Sequence, residues 1–404
     1  MRIHHFGIIS ISLLAADWRS FSATFDDDVS FLKQHTPIVV LSDQSKKSQV
    51  VVSPGWQGRV LTSTASGGNG ASCGWINRDL IASGKMQSHI NVFGGEDRFW
   101  IGPEGGQFSL FFAKGVPFDL EHWFTPASID TLPYAVARQS KTEVDFHAQF
   151  SLTNYSGATF DVKVDRQVKL LLAWQAWREL HLQPLAGVKL VAYESVNKIS
   201  NAGSEPWSKH TGLLSIWILG QFNSSPDTTI VVPIKDGPES ELGTRLTSDY
   251  FGNIPAERLA VKDTAIFFSG DSQYRSKIGI NPRRSKAVLG SYDAANQMLT
   301  IVQFTQPKDR TDYVNSLWKL QEHPFSGDVI NSYNDGPPAP GAKQLGQFYE
   351  MESSSPAAAL APGQSMTHIR RTIHLTGATN NLDVVARAAL GVPLSEIQNA
   401  LPTR

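Results

Sequence analysis

Glycine and proline punctuate this chain from end to end, with 32 Gly and 22 Pro dispersed rather than massed in one tract. Between them the apolar stretches are short and rich in β-branched residues, which is the pattern of strands and turns rather than of long helices. Ile38–Leu41, Gln49–Val52, Val60–Thr62, Leu213–Gly220, Thr229–Ile234, Ala265–Ser269, Leu299–Phe304 and Gln347–Glu352 all read this way. Phe160, Val162, Val164, Val168 and Leu170 alternate with polar residues, as on a half-buried strand. Met366–Leu375 alternates too: Thr367, Ile369, Arg371 and Ile373 share one face, and Met366, His368, Arg370 and His374 the other. No strand–helix–strand rhythm and no fixed repeat runs through the chain. The reading is therefore all-β, with large antiparallel sheets packed on each other.

Helix is expected only near the ends and at Trp174–His181. Asp26–Gln34 has an acidic first turn and stops before Pro37. Leu382–Leu390 ends at Gly391, and Ser395–Gln398 has capping-box spacing. Residues 1–23 read either as an export signal, with an apolar stretch from Phe6 to Ala16, or as a loose N-terminal extension. Residues 24–404 read as one domain closed by helices within 382–400. The chain would be periplasmic or secreted in the first case and cytoplasmic in the second.

Composition narrows the function. Lys and Arg number 36 against 37 Asp and Glu, for a net charge of −1, which disfavours nucleic acid as a partner. Only 18% of residues are charged, yet 41% are hydrophobic, so the chain has ample core. No apolar run approaches the ~20 residues of a membrane span. The single cysteine, Cys73, excludes an internal disulfide and a Cys-based zinc site.

Two segments concentrate chemistry. Ser88–Gln107 (SHINVFGGEDRFWIGPEGGQ) sets Glu96, Asp97, Arg98 and Trp100 after a Gly-Gly turn. Carboxylates accept from vicinal hydroxyls, a guanidinium donates to ring oxygens, and an indole covers the apolar face of a pyranose. The second segment is the strand bearing Phe348, Glu350 and Glu352 on one face. Paired carboxylates split their pKa values and serve as acid and base, although an edge strand with two solvated glutamates has the same spacing. Asn331, Tyr333, Asn334 and Asp335 lie just upstream, and the Pro/Gly-rich stretch from Asp335 to Gly341 reads as a loop beside a site. Gly67–Gly74 lacks the lysine of a phosphate loop and reads as a turn. Neither HExxH nor GxSxG occurs.

In order, Gly58-Arg59-Val60, Asn77-Arg78, Gly94-Gly95 with Trp100, and Glu352 followed by Pro356 and Leu360-Ala361-Pro362-Gly363 before an alternating last strand resemble the galactose-mutarotase-like (aldose 1-epimerase-like) superfamily. The resemblance runs from about Val39 to Leu375, nearest to its uncharacterised bacterial branches. It implies a β-supersandwich with short helices at the termini. It also implies a glutamate, here Glu352, that takes the anomeric proton while a histidine protonates the ring oxygen, with neither metal nor redox cofactor. The histidines do not carry over: Phe93 stands before Gly-Gly, and the nearest matches to a central Asn-His are Asn154-Tyr155 and Asn201-Ala202. His89 and His210 are the replacement acids to test. Asn77, Arg78, Glu96, Asp97, Arg98, Trp100, Asn334 and Glu350 are the expected ligand contacts. The expected function is carbohydrate-active: a mutarotase or epimerase of a free sugar or sugar derivative. The alternative is a non-catalytic carbohydrate-binding protein or a lyase-like relative. The partner is a small or oligomeric carbohydrate.

Overall fold

The computed structural model describes residues 23–339 and 341–402. The N-terminal export signal or extension falls, except for Ala23, outside the described residues. Helix α1 (Phe25–His35) begins where the acidic turn places it. Thr24 and Asp27 cap each other reciprocally, and Thr36, extended before Pro37, ends it. Strands β1 (Val39–Ser42), β2 (Gln49–Ser53) and β3 (Arg59–Thr64) make a three-stranded sheet. Helix α2 (Arg78–Ser83) was not expected. The Asn77 side chain caps it and Gly84 closes it in the left-handed conformation.

Strand β4 (Arg98–Gly102) and short helix α3 (Ala127–Asp130) lead into the antiparallel run β5 (Ala135–Gln139), β6 (Glu143–Thr153) and β7 (Thr159–Leu171). Helix α4 (Ala173–Glu179) connects to β8 (Lys189–Asn201), β9 (Ser215–Asn223) and β10 (Thr228–Pro233). After α5 (Glu239–Leu242) come β11 (Leu259–Val261), β12 (Ala265–Ser269), β13 (Ser276–Ile280), β14 (Val288–Asp293) and β15 (Met298–Phe304). Strands β16 (Ile330–Asn334), β17 (Phe348–Ser354) and β18 (Ser365–Thr376) precede helices α6 (Thr379–Leu390) and α7 (Leu394–Asn399). Gly391 ends α6 as expected. The α7 cap is Pro393 rather than Ser395, so the helix begins two residues earlier than the capping-box spacing places it.

Two antiparallel sheets carry the architecture: a ten-stranded sheet ordered β11-β12-β10-β14-β15-β18-β8-β7-β6-β5, and a five-stranded sheet ordered β13-β16-β17-β9-β4. The central strands of the large sheet are buried on both faces. On β15, Ile301 packs toward α4, α6 and α7, while Val302 packs toward the small sheet with Met351 and Tyr349. This is why Leu299–Phe304 reads as a continuous apolar run rather than an alternating one. On β18, His368, Arg370, Thr372 and His374 form the buried polar face, directed at the small sheet.

The Gly94-Gly95 turn sets where β4 begins. Gly94 has φ +95°, and a Cβ there would lie 2.1 Å from the Trp75 carbonyl oxygen. Gly94→Ala is expected to destabilise the fold by about 1–3 kcal/mol, from backbone strain plus overpacking, as measured by urea denaturation.

Candidate functional site

Strand alternation gives the small sheet one face toward the large sheet and one outward. On β17, Tyr349 and Met351 enter the inter-sheet core, while Phe348 and Glu350 line a cleft of about 300 Å³ on the other side. Arg98 and Trp100 on β4, Trp217, Leu219 and Gln221 on β9, Lys277 on β13 and Tyr333 on β16 line the same cleft. Loops add His89, Glu104, Trp123, Phe251, Arg275, Trp318 and Asp335 to the walls. The result is a charged floor between aromatic walls, at the lower end of the ~300–1,000 Å³ typical of ligand pockets.

The register explains how the charges meet. Tyr333 lies opposite both Lys277 and Glu350, and Leu219 lies opposite both Glu352 and Arg98. Each ion pair therefore reaches over an intervening strand, Arg98 to Glu350 across β9 and Lys277 to Glu352 across β16. Arg98 donates to Glu350 Oε1 at 2.5 Å, and Lys277 Nζ donates to Glu352 Oε2 at 3.2 Å. Trp217 Nε1 also donates to Glu352 Oε2, at 2.8 Å. Lys277 sits 4.8 Å over the Trp217 ring and Arg98 5.0 Å over the Trp100 ring.

Burial raises the Glu350 pKa to about 7; Arg98 opposes the shift and the neighbouring Glu352 charge adds to it. Burial likewise raises Glu104, against the pull of Lys277. For Lys277 burial works the other way, but the carboxylates of Glu352, Glu104 and Glu350 outweigh it and hold its pKa above the ordinary value. Several buried polar atoms here have no hydrogen-bond partner among the described residues: Glu352 Oε1, Arg98 Nε, Trp100 Nε1, Trp123 Nε1 and Gln221 Oε1. Buried groups of this kind normally find partners, and four of the five belong to residues that line the cleft: Arg98, Trp100, Trp123 and Gln221.

Not every residue expected at the site is there. Glu352 does not line the cleft. It is fully buried, and it meets the cleft through Lys277 and Trp217, which do line it. Glu96 and Asp97 point into the inter-sheet layer, because a bend at Glu96 breaks the alternation ahead of β4. Glu96 accepts from Ser63 and lies 2.9 Å from His374 Nε2, and Asp97 pairs with Arg166 and Ser195. His210 lies exposed on the turn closed by the Ser208–Gly212 bridge, away from the lining. Asn334 faces inward and anchors the 271–274 loop, accepting from the Ser272 amide. Asn77 caps α2 and Arg78 pairs with Asp28, and both line a neighbouring groove instead. His89, Arg98, Trp100 and Glu350 do reach the cleft, with His89 Nδ1 2.7 Å from the Trp123 carbonyl oxygen. Phe93 is buried and stacked on Trp56. Among the described residues no group of three or more His, Cys, Asp or Glu side chains is placed to hold a metal ion, and no helix is long and apolar enough to cross a membrane.

The fold resembles that of the Slr1438 protein from Synechocystis sp. PCC 6803, at TM-score 0.50 and 12% identity over 85% of this chain and 96% of that one. A structure described as a "Putative aldose 1-epimerase" from Escherichia coli K12 gives TM-score 0.48 and 12% identity, covering 85% of this chain and 100% of that one. A galactose mutarotase-like protein from Lactobacillus casei ATCC 334 gives 0.44 and 10%, covering 84% and 100%. At these identities the likeness is one of fold alone. No curated protein matches. The profile of a "Family of unknown function (DUF6786)" matches residues 23–401, so the chain belongs to that family.

Proposed function

We propose that the chain is a carbohydrate-active protein whose cleft binds a free sugar and interconverts its anomers by proton transfer. The observation that carries this reading is Glu350: a cleft-lining carboxyl with a pKa near 7, beside a charged lysine and between aromatic walls. Opening a hemiacetal requires removing the anomeric hydroxyl proton and supplying positive charge at the ring oxygen. In this reading ionised Glu350 is the base. The Lys277 ammonium donates toward the ring oxygen, and His89 lies in the same cleft as a second donor. The half-buried Trp123 and Trp318 offer aromatic surface for the C–H side of the sugar. Glu352 is a positioning residue that holds Lys277 in place and, through its charge, raises the Glu350 pKa.

The test is NMR. Saturation transfer against free aldoses, uronates and sugar phosphates reports binding, and exchange between anomers above the buffer rate reports catalysis. Because the base must be ionised, the exchange rate is expected to fall about tenfold per pH unit below pH 7 and to level off above it. Glu352→Gln removes a neighbouring negative charge, so the midpoint of that profile is expected to move below 7. Binding without exchange would replace the enzyme by a lectin-like protein. No binding across the panel would overturn the reading.

A further inference from the structure

The cleft does not end at its own rim. A second, shallower groove of about 960 Å³ runs beside α2, and the two share His89, Ile90, Val92, Lys343 and Leu345 as common walls. Phe348 lines the first and Trp75 the second, and their rings touch with centroids 4.6 Å apart. An aromatic contact thus joins the wall of the cleft to the wall of the groove. Trp75 is half-buried, held at one edge by Gly346, where a Cβ would lie 2.1 Å from the indole. Exposed Gln87, Ser88 and Gln347 border the groove and offer it amide and hydroxyl groups. A cleft with a charged floor that opens onto a second groove with an aromatic base, lined by amide and hydroxyl groups and by Arg78, Asp79, Lys85 and Lys343, suits a ligand with one reacting end and a hydroxylated tail.

We infer that the groove is a second sugar subsite, and that the ligand is an oligosaccharide whose reducing-end ring sits in the cleft while the next rings run over Trp75. This rests on the sugar-cleft reading above. The chemistry at the reducing end is unchanged; the groove adds affinity through ring stacking and hydroxyl contacts.

Calorimetric titration tests the inference with glucose, galactose, mannose and xylose against their α-1,4- and β-1,4-linked di- and tetrasaccharides. Anomeric exchange is followed by NMR in the same samples. At least one tetrasaccharide is expected to bind about tenfold more tightly than its reducing-end monosaccharide, roughly the worth of one good ring contact. Ser88→Trp, at an exposed position bordering the groove alone, is expected to bring that ratio back near one. Trp75→Ala should reduce the ratio similarly, and thermal melts of both variants report whether they fold. Equal affinity for monomer and oligomer, or a ratio unmoved in a folded Ser88→Trp variant, would overturn the subsite while leaving the cleft reading intact. Oligosaccharide binding without anomeric exchange would support the subsite and remove the catalytic claim. If neither monomer nor oligomer binds, both proposals fall.

Discussion

Glu350→Gln is expected to lower anomeric exchange by about 100- to 10,000-fold, the usual contribution of one positioned acid–base group. Glutamine matches the size of glutamate and still accepts from Arg98, but it cannot take a proton. Sugar binding by saturation transfer should therefore persist. The comparison with Glu352→Gln carries the argument. Glu352 is fully buried and engaged by Trp217 and Lys277, so its variant should alter the pH profile more than the plateau. Should Glu352→Gln abolish exchange at every pH while Glu350→Gln retains it, the base would be Glu352, and the side chains covering it would have to move when sugar binds. Should both variants exchange at the wild-type rate, neither carboxyl carries the chemistry.

Asp97→Ala is expected to cost about 3–5 kcal/mol of stability, the range for removing one partner of a buried ion pair. Asp97 Oδ1 accepts from Arg166 Nη2 at 2.5 Å and its Oδ2 accepts from Ser195 at 2.8 Å, while Arg370 Nε lies 3.8 Å away. All three charged side chains are fully buried. Burial already pushes the Arg370 pKa below its ordinary value, with the Asp97 charge opposing that shift. Without Asp97, two buried guanidinium groups would lose the carboxylate that pairs with them, and only the more distant Glu352 charge would still favour Arg370. Urea denaturation of the single variant, and of Asp97→Ala with Arg166→Met, separates the causes. The double variant should recover part of the loss, because the orphaned charge is gone. A single-variant loss under about 1 kcal/mol would show that water or rearrangement replaces the carboxylate.

The strands most legible in the sequence were those with short apolar runs that stop at Gly or Pro, such as β2 before Pro54, β10 at Pro233 and β12 before Gly270. Strand β8 escaped because Glu194, Asn197 and Lys198 interrupt its apolar residues. It is nonetheless a central strand, and its polar positions Ser195 and Asn197 feed the buried network around Asp97. At the cleft, local pattern sufficed for Phe348 and Glu350, which strand alternation puts on one face. It failed at Glu96 and Asp97, because a bend cannot be seen in the spacing of side chains. Lys277, Trp217, Glu104 and Trp318 were missed for a different reason. They come from four distant segments: the order β13-β16-β17-β9-β4 brings Lys277 and Trp217 to one floor, and loops bring Glu104 and Trp318 to its walls. Lys277 had no neighbouring signal: it sits between Ser276 and Ile278 in what reads as an ordinary short strand.

The pleat of β17 separates two kinds of selection. Tyr349 and Met351 answer to the packing of two sheets, whereas Phe348 and Glu350, alternating with them, answer to the cleft side of the strand, Phe348 packing on Val92 and Tyr333 and Glu350 pairing with Arg98. A change at an outward position leaves the inward ones undisturbed, so ligand preference can drift along this strand while the architecture stays fixed. Within such a lineage, overall shape is a poor guide to diet, and the outward residues of a few central strands are the place to read it.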